Sequence, residues 1–488
     1  MQNRVFGGFH DLRDFLELVR SIGELKTVDG ADWDLELGGI AEVAAYRHGT
    51  PALLFDSIKG YPKGYRLLAN IFGTQKRAAI VLRLPLELDS ISLVKTLKER
   101  LRTRKSEKPV VKSSGPILEN VDTGSKVDVL KFPTPRWHDG DGGRYIGTAD
   151  LVITKDPEEE WVNVGTYRVM IHNKDTLGIY ISPGHHGRLM LQKYWERGQN
   201  APIAISVGHD PTFLIGSGLG APWGVSEYDL IGWASSQPVE LVEAPYTKLP
   251  VPATSEVVIE GECPPPEKES MPEGPFGEWT GYYATGSRNE AVVKVKTVLY
   301  RNDPILTAAP DFRPFAPANG LAYLHRIIKA AFLWNKLEEN GVEEVTGVWY
   351  MLPGHTYYYP VISLRQMYPG HAKRAAYSVL ATDVGGYHGR YVIVVDDDID
   401  ASNMDEVLWA VATRCDVETG IDIVRGSWST PLDPTIPPRK RDDKDFTSGR
   451  AIINACRPFH WRDKFPKVNK ISDQYKSEIL ERWGHLFK

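Results

Sequence analysis

Cysteine is scarce in this chain. Its 488 residues include three cysteines, Cys263, Cys415 and Cys456, which lie far apart and form no C-x-x-C pair. Such a sparse, odd set excludes a disulfide framework and a cysteine-based zinc site. We therefore interpret the three side chains as reduced thiols of a cytoplasmic protein.

Long apolar runs and an excess of positive charge are missing as well. No segment approaches the roughly 18 consecutive apolar residues of a membrane-spanning helix, and the N-terminal MQNRVFGGFHDLRDF lacks the apolar centre of a signal peptide. The formal net charge of -5 argues against a nucleic-acid-binding surface, which requires a basic face. These absences predict a cytoplasmic protein that binds neither nucleic acid nor membrane.

The composition that remains, 42% hydrophobic and 25% charged, is typical of a globular protein with two or three domains. Helical periodicity at 11–22 and 88–104 with short apolar runs between predicts an N-terminal α/β domain, 1–115. Closely spaced strand patterns predict a barrel or sandwich over 116–315. Alternating helices and strands predict an α+β domain over 316–455, followed by a tail helix within 456–488 that docks on another subunit.

Two basic or polar stretches have simple interpretations. The basic run at 98–112 is read as a solvated helix end running into a linker, with a polyanion site as the alternative. The Pro-rich stretch at 432–448 is read as a polar connection before the tail helix.

The segment 161–186 and the loop 273–278 carry the residues best suited to chemistry. Arg168 lies in a strand pattern, where an arginine is costly unless paired, and Glu273 and Glu278 flank Gly-Pro-Phe-Gly. One cationic anchor facing two acids suits acid–base chemistry on a carboxylate-bearing substrate. The alternative is a surface arginine and two ordinary loop carboxylates.

Asn163, His186 and Glu227 form a second candidate group. An amide oxygen, an imidazole and a carboxylate suit Mg²⁺ or Mn²⁺ better than zinc, although each residue alone is more often structural. Asn163 and Arg168 would point to opposite faces of one regular strand, so a bulge at Gly165 or a bound molecule along the strand is needed for both to serve one site.

Three further patterns are ambiguous. The backbone of GSGLG at 216–220 offers oxygens to a cation or forms a plain turn. The acidic run DDDID at 396–400 is a metal site or, more simply, the end of a strand that enters a helix cap. A pocket or the core accounts equally well for a group of aromatic residues: Phe312, Phe315, Tyr357, Tyr358, Tyr359 and Tyr387.

Taken together, these motifs resemble the UbiD-type decarboxylases that use prenylated FMN. The resemblance runs over nearly the whole chain, in the order DLRDFLELVRSIGEL, VNVGTYR, SPGHH, GVSEYDL, PVELV, VPATSEVVIEGE, EGPFGE, YVIVVDDDID, VLWAVATR and GRAIINACRP. It implies an N-terminal α/β domain, a split β-barrel that binds the flavin, and a C-terminal α+β domain that forms a homodimer or a dimer-based oligomer.

The resemblance also assigns roles to residues. Arg168 would hold the substrate carboxylate, Glu273 would brace Arg168, and Glu278 would be the proton donor. Asn163, His186 and Glu227 match ligands of Mn²⁺ (or Mg²⁺) that also binds the flavin phosphate, and the backbone around Gly216, Ser217 and Leu219 matches a K⁺ site. The positions that match the cofactor lining are Gly165, Thr166, Tyr167, Arg168, His185, His186 and Leu219.

The activity so implied is the reversible, non-oxidative decarboxylation of an aromatic or heteroaromatic acid to release CO₂, through a covalent adduct with prenylated FMN. A flavin prenyltransferase would supply the cofactor. The alternatives are a carboxylase or carboxylase-complex subunit working in reverse, and a catalytically silent flavin-binding assembly protein.

One departure concerns the flavin phosphate. A lysine that some members supply before the strand matching RYVIVV is replaced here by Val384, and the nearest preceding lysine is Lys373. This difference favours the aromatic over the acrylic-acid branch. Tyr387 matches a position near the substrate, and Arg313 and His325 are further candidates to recognise a substrate heteroatom or second carboxylate.

Overall fold

The computed structural model describes residues 8–103, 105, 107–219, 221–352 and 357–487. The N-terminal region begins with an amphipathic helix that Asp11 caps, its side chain accepting from the Asp14 amide. The elements of this region are α1 (Leu12–Ser21), β1 (Leu25–Asp29), α2 (Glu36–Ala45), β2 (Ala52–Asp56), β3 (Arg66–Ala69), α3 (Gln75–Val81) and α4 (Ser90–Arg102). Both predicted helices of this region are confirmed, and the region is α/β.

The central region is built mainly of strands, as predicted. Its elements are β4 (Val110–Lys112), β5 (Asn120–Thr123), β6 (Arg144–Gly147), β7 (Asp150–Lys155), β8 (Val162–Gly165), β9 (Arg168–Asn173), β10 (Thr176–Tyr180), α5 (His186–Glu196), β11 (Ala201–Val207), α6 (Phe213–Leu219), α7 (Glu227–Ser235), β12 (Glu240–Glu243), β13 (Pro250–Pro252), β14 (Val257–Cys263), β15 (Ser270–Glu273), β16 (Arg288–Tyr300) and β17 (Ile305–Thr307). The three helices α5, α6 and α7 were not predicted.

The C-terminal region alternates helices and strands. Its elements are α8 (Ala322–Glu339), β18 (Val345–Tyr350), β19 (Pro360–Leu364), α9 (His371–Leu380), α10 (Asp383–Gly386), β20 (Tyr391–Asp396), α11 (Met404–Arg414), α12 (Val417–Gly420), β21 (Ile421–Trp428), α13 (Pro438–Asp442), β22 (Thr447–Ala455) and the tail helix α14 (Asp473–Trp483). The five strands form one sheet in the order β18-β19-β20-β22-β21. This arrangement confirms the predicted α+β character.

The large central sheet curls into a half-barrel. Its path runs β6-β9-β10-β16-β14-β11-β7-β8, with β5 and β15 added to β16. The two-residue links at 148–149 and 166–167 join β6 to β7 and β8 to β9, that is, strands at opposite ends of this path. Because the three Cα–Cα steps across each link span at most about 11 Å, the two ends of the sheet must lie side by side.

Strand β17 leaves the half-barrel and completes the N-terminal sheet. That sheet has the order β1-β2-β3-β17, and Ile305–Thr307 pairs in parallel with β3. The N-terminal and central regions therefore share a sheet as well as a hydrophobic core.

The basic run at 98–112 was wrongly interpreted as solvated throughout. Lys98 is buried, and its ammonium lies 2.8 Å from a Glu338 carboxylate oxygen on α8. Arg100 donates to the carbonyls of Leu82 and Ala234. These contacts join the N-terminal helices to the C-terminal and central regions.

The interpretation of 432–448 as a connection is also wrong. The segment contains α13 and the start of β22, a central strand of the C-terminal sheet. Arg441 donates to the carbonyls of Pro431, Asp433 and Ile436, and so holds the segment in place. Among the described residues no helix is long and apolar enough to cross a membrane.

Candidate active site

A buried network of one arginine and two glutamates lies at the start of β9. Arg168 donates from Nε (2.8 Å) and Nη2 (2.7 Å) to the two oxygens of Glu273, a bidentate pair. Its third nitrogen, Nη1, donates to Glu278. The Arg168 side chain is 9% exposed, Glu273 is fully buried, and Glu278 is 9% exposed. The predicted meeting of these three residues is found in the structure.

The backbone around Glu273 places the two acids on either side of the guanidinium. Glu273 ends β15, opposite Arg288 of β16, and Gly274 follows with φ +83°, a conformation that glycine adopts without strain. The Gly274 carbonyl lies so close to Gly142 that a Cβ there would be 2.0 Å from it. The loop can therefore reach Glu278 only with glycine at both positions.

Aromatic rings hold the guanidinium from the remaining sides. The Arg168 guanidinium carbon lies 4.6 Å from the ring centroid of Tyr180 and 5.7 Å from that of Phe276. The Tyr145 hydroxyl donates to Glu273 Oε1 at 3.2 Å. Glu273 thus receives three donors, which fixes the arginine with one edge turned to Glu278.

The two ionisable ends of the network differ in character. Burial raises the pKa of Glu278 to about 7, with Arg168 opposing the shift and Asp311 adding to it. Burial alone would lower the pKa of Arg168, but its hydrogen bond to Glu273 and the nearby Glu278 raise it above its ordinary value. The guanidinium therefore keeps its charge, whereas Glu278 can hold or release a proton near neutral pH.

The predicted metal ligands lie on three elements, β8, α5 and α7, and β8 contacts both helices. Glu227 begins α7, and its Oε2 accepts from the Val164 amide at 2.7 Å, beside Asn163. A Cβ placed on Gly187, the residue after His186, would lie 3.3 Å from Asn163 Nδ2. Strand β8 thus brings Asn163 next to Glu227 and to the start of α5, where the His186 ring packs against Trp161 and Trp223.

The chemistry of this donor set fits a hard divalent cation. Burial raises the pKa of Glu227 to about 7, and no cationic side chain of the described residues pairs with it. Burial lowers the pKa of His186, which leaves a neutral imidazole free to donate an electron pair. Within the described ranges, no group of three His, Cys, Asp or Glu side chains is placed to hold a metal ion.

The chain breaks between β8 and β9, so Asn163 and Arg168 do not lie on one regular strand. The bulge expected at Gly165 is not what the structure shows: β8 ends at Gly165 and a new strand begins at Arg168. In the link between them, Thr166 Oγ1 donates to the Asp150 carbonyl, and the Tyr167 ring packs against His185. Gly165, Thr166 and Tyr167 thus connect the strand that carries Asn163 to the strand that begins at Arg168.

Within the glycine-rich segment 216–220, residues 216–219 form the end of a helix, not a turn. Gly216 lies in α6, and a Cβ there would be 3.4 Å from Cβ of Glu227. Ser217 and Leu219 belong to the same helix, but their side chains lie outside the described part of the structure, as does Gly220. The K⁺ site stays a prediction.

The predicted substrate residues are dispersed. Tyr387 is 37% exposed and follows α10, and His325 is buried on α8. Arg313 is exposed; its Nε donates to the Tyr46 hydroxyl at 3.0 Å, and its guanidinium rests on Tyr46 and Phe315. The structure therefore does not bring Arg313 together with the other two.

The remaining candidates have structural partners. Asp396 ends β20, as predicted, but it pairs with Arg414 and Arg457, and the cap of the next helix, α11, is Asn403. Lys373 is exposed and pairs with Asp422 at 3.0 Å. Neither needs a ligand to satisfy its charge.

An aromatic group next to Glu278 was only partly anticipated. Trp279 follows Glu278 directly and packs against Tyr357, Tyr358 and His388, with ring centroids 4.5–5.4 Å apart. Tyr387 packs on His388 at 3.9 Å. We call these five residues the aromatic tier. Lys329 of α8 lies against it, 3.6 Å from the Tyr357 ring centroid, and a helical pattern was the only sequence signal for this lysine.

Comparison with known proteins agrees with this arrangement. Sequence models of 3-octaprenyl-4-hydroxybenzoate carboxy-lyase, UbiD, match the chain at 16–101 (N-terminal domain), 108–314 (Rift-related domain) and 322–455 (C-terminal domain). The phenolic acid decarboxylase of Bacillus subtilis (strain 168) is 32% identical over 437 residues, 87% of this chain and 89% of the relative. That of Sedimentibacter hydroxybenzoicus is also 32% identical, over 92% of each chain.

Solved structures show the same fold. The UbiD-class enzyme HmfF from Pelotomaculum thermopropionicum, in complex with FMN, superposes with a TM-score of 0.83 at 28% identity, over 96% of this chain and 98% of its own. The open form of vanillic acid decarboxylase from Sedimentibacter hydroxybenzoicus gives 0.84 at 27% identity, over 98% and 100%. Fold, site and matches together define a carboxy-lyase. The chain belongs to the UbiD family.

Proposed function

We propose that this protein decarboxylates an aromatic or heteroaromatic acid with prenylated FMN as its cofactor. The observation that carries the proposal is the guanidinium of Arg168, fixed by Glu273 on one edge and facing Glu278 on the other. It is supported by relatives named phenolic acid decarboxylase and by HmfF structures solved with FMN and with prFMN.

Arg168 binds the substrate carboxylate in this proposal. Two of its nitrogens are held by Glu273, so the Nη1 edge is the part that a ligand can reach by sharing or displacing the contact with Glu278. A fixed guanidinium in a nearly dry site binds a carboxylate without reorganising, which aligns the bond to be broken.

Glu278 supplies the proton that replaces CO₂. Its burial keeps the carboxyl protonated up to about neutral pH, and Arg168 positions it. A carboxylic acid with a pKa near the working pH is an efficient general acid. The same groups serve the reverse reaction, since the proton then returns to Glu278.

The bound flavin would supply an electrophilic centre that accepts the electrons released as the carbon–carboxylate bond breaks. Gly165, Thr166, Tyr167, His185 and Leu219 would line it, beside Arg168 and His186. Asn163, His186 and Glu227 would hold Mn²⁺ or Mg²⁺ against its phosphate, and the backbone near Gly216 and Ser217 would hold K⁺. A flavin prenyltransferase would supply the modified cofactor.

CO₂ release from a panel of hydroxybenzoic, indole, pyrrole, furan, naphthoic and cinnamic acids tests the proposal. The protein is produced together with a flavin prenyltransferase and kept anaerobic until the assay. Release from one class of ring supports the proposal. Silence across the panel by protein shown to hold prenylated flavin, together with CO₂ fixation onto an arene, would replace it with a carboxylase.

The pH dependence follows from the raised pKa of Glu278, about 7. Turnover at saturating substrate is expected to fall as pH rises through about 7, because the proton donor is then ionised. In the cofactor-free protein, Glu278 has a pKa of about 4.3 in the unfolded state and the raised pKa in the folded state. Between these two pH values, the carboxyl is protonated in the folded state but ionised in the unfolded state. Stability therefore falls as pH rises across that interval. The stability of Glu278→Gln should therefore fall less with rising pH across that interval. An unchanged dependence of stability on pH would refute the assignment of the raised pKa to Glu278.

Glu227→Gln tests the metal site. The amide can still accept from the Val164 amide but no longer neutralises a cation, so Mn²⁺ affinity should fall by more than the roughly 10–100-fold that loss of an outer partner costs. FMN should bind more weakly in parallel. Both are measured by titration of the cofactor-free protein. Glu240→Gln, on the exposed face of β12, is the control; equal metal binding by both variants would remove Glu227 from the ligand set.

We also propose that the protein dimerises through its C-terminal end. The segment around α14 exposes Ile471, Leu480, Trp483 and Leu486, each at 46–63%. Such a row of exposed large apolar side chains is typical of a surface that another subunit covers. An evolved dimeric form is among the solved HmfF structures.

A further inference from the structure

Lys329 occupies an unusual place beside the aromatic tier. It lies one helical turn after His325 on α8, so both side chains leave the same face of the helix. Its ammonium sits 3.6 Å from the Tyr357 ring centroid, and Tyr357 packs on Trp279 at 4.5 Å. Since Trp279 follows Glu278, the lysine and the proposed proton donor border the same aromatic group.

The charge of Lys329 is not matched by a carboxylate. No acidic side chain of the described ranges lies within ion-pair distance of it, whereas Lys98, also facing α8, pairs with Glu338. Burial lowers the pKa of Lys329 to about 7, with no acid to offset the shift. The face of Tyr357 compensates only part of the cost of placing an ammonium there.

Tyr357 lies between the lysine and Trp279: its ring centroid is 3.6 Å from the ammonium and 4.5 Å from the Trp279 ring centroid. The far substituent of an acid bound by Arg168 would therefore reach the lysine at the edge of the Tyr357 ring.

We infer that Lys329 determines substrate specificity by binding an acidic oxygen substituent of the aromatic acid, a phenolic hydroxyl or a second carboxylate. The inference rests on the proposed function. Rings of the tier offer faces to the substrate ring, and the ammonium supplies the donor that such an oxygen needs. Bound in this way, the substituent also gives the half-buried charge the partner that the described protein residues do not provide.

Binding of matched acids to protein loaded with unmodified FMN tests the inference. Benzoate, 4-hydroxybenzoate and terephthalate are titrated calorimetrically into the wild type, Lys329→Met and Lys329→Arg. We expect Lys329→Met to reduce the preference for at least one substituted acid over benzoate by tenfold or more, the range of a hydrogen bond to a charged group. Lys329→Arg should retain most of the preference for the substituted acid over benzoate. The acid that loses its preference identifies the substituent as phenolic or carboxylate.

Lys336→Met is the control, because Lys336 lies on the same helix but is exposed and pairs with Glu339. An unchanged preference in a folded Lys329→Met would overturn the inference and leave the proposed function standing. Failure of the wild type to bind any of the acids, with FMN bound, would overturn both. If Lys329→Met does not fold, Lys329→Gln takes its place, with the same two outcomes.

Discussion

Glu278→Gln is expected to lower the rate of CO₂ release by about 10²–10⁴-fold, the usual contribution of a general acid. The amide keeps an oxygen that can accept from Arg168 but has no acidic proton to deliver. The free energy of unfolding should change little, because the shape and the hydrogen bond are kept. The rate is measured by CO₂ release, and stability by thermal unfolding of the same preparations.

Two further variants serve as controls for the effect of Glu278→Gln on the rate. Glu269→Gln removes an exposed carboxylate shortly before β15, one that pairs with Lys294, and should have wild-type activity. Glu278→Asp retains an acid on a shorter side chain and should recover part of the rate. If Glu278→Gln released CO₂ at the rate of Glu269→Gln, the proton would have to come from another group.

Arg168→Met is expected to lower the free energy of unfolding of the cofactor-free protein by about 3–5 kcal/mol, because it leaves Glu273 buried with no counter-charge. Adding Glu273→Gln should recover most of this loss, since the buried charge is then removed as well. Activity should be absent from the single and the double variant alike, because neither can bind the substrate carboxylate. Urea unfolding and CO₂ release measure the two quantities.

The double-mutant comparison separates stability from catalysis. Arg20→Met breaks an exposed pair with Glu17 and should cost at most about 1 kcal/mol. A similarly small effect for Arg168→Met would mean that Glu273 is not charged in the folded protein. Recovery of activity in the double variant would show that the substrate carboxylate is bound elsewhere.

Strands β7, β10, β11, β14 and β16 of the half-barrel were predictable because each carries its own signal, namely alternation or an apolar run between turn residues. Strands β8 and β9 were predicted as one strand, and β5, β6 and β15 were not predicted. Helix α7 could not be recognised in this way. Nearly all of its residues are buried, so it has no polar face to produce a 3.6-residue period, and it contains a glycine. Helix α6 is similarly apolar and glycine-containing. Burial on all sides thus hid α7, and the short, apolar sequence of α6 showed no helical period either.

The chemistry of the site was easier to predict than its geometry. Arg168, Glu273 and Glu278 were identifiable because a charged residue in a strand and two acids on a shaped loop each demand a partner. Their meeting depends on contacts across more than 100 residues of sequence, which local patterns do not contain. Lys329 was missed for the opposite reason: lysine is ordinary in a helix, and only the tertiary structure shows that it lies against aromatic rings instead of water.

Strand β17 has a consequence for the synthesis of the chain. The outer edge of β3 is closed by residues 305–307, which the ribosome makes about 200 residues after α4 is complete. At roughly 5–20 residues per second, the N-terminal sheet waits on the order of 10–40 s with that edge unpaired. An open strand edge is a template for pairing with other chains. The first region to be translated is thus among the last to be finished, and a nascent chain in this interval is the form that chaperones would have to protect.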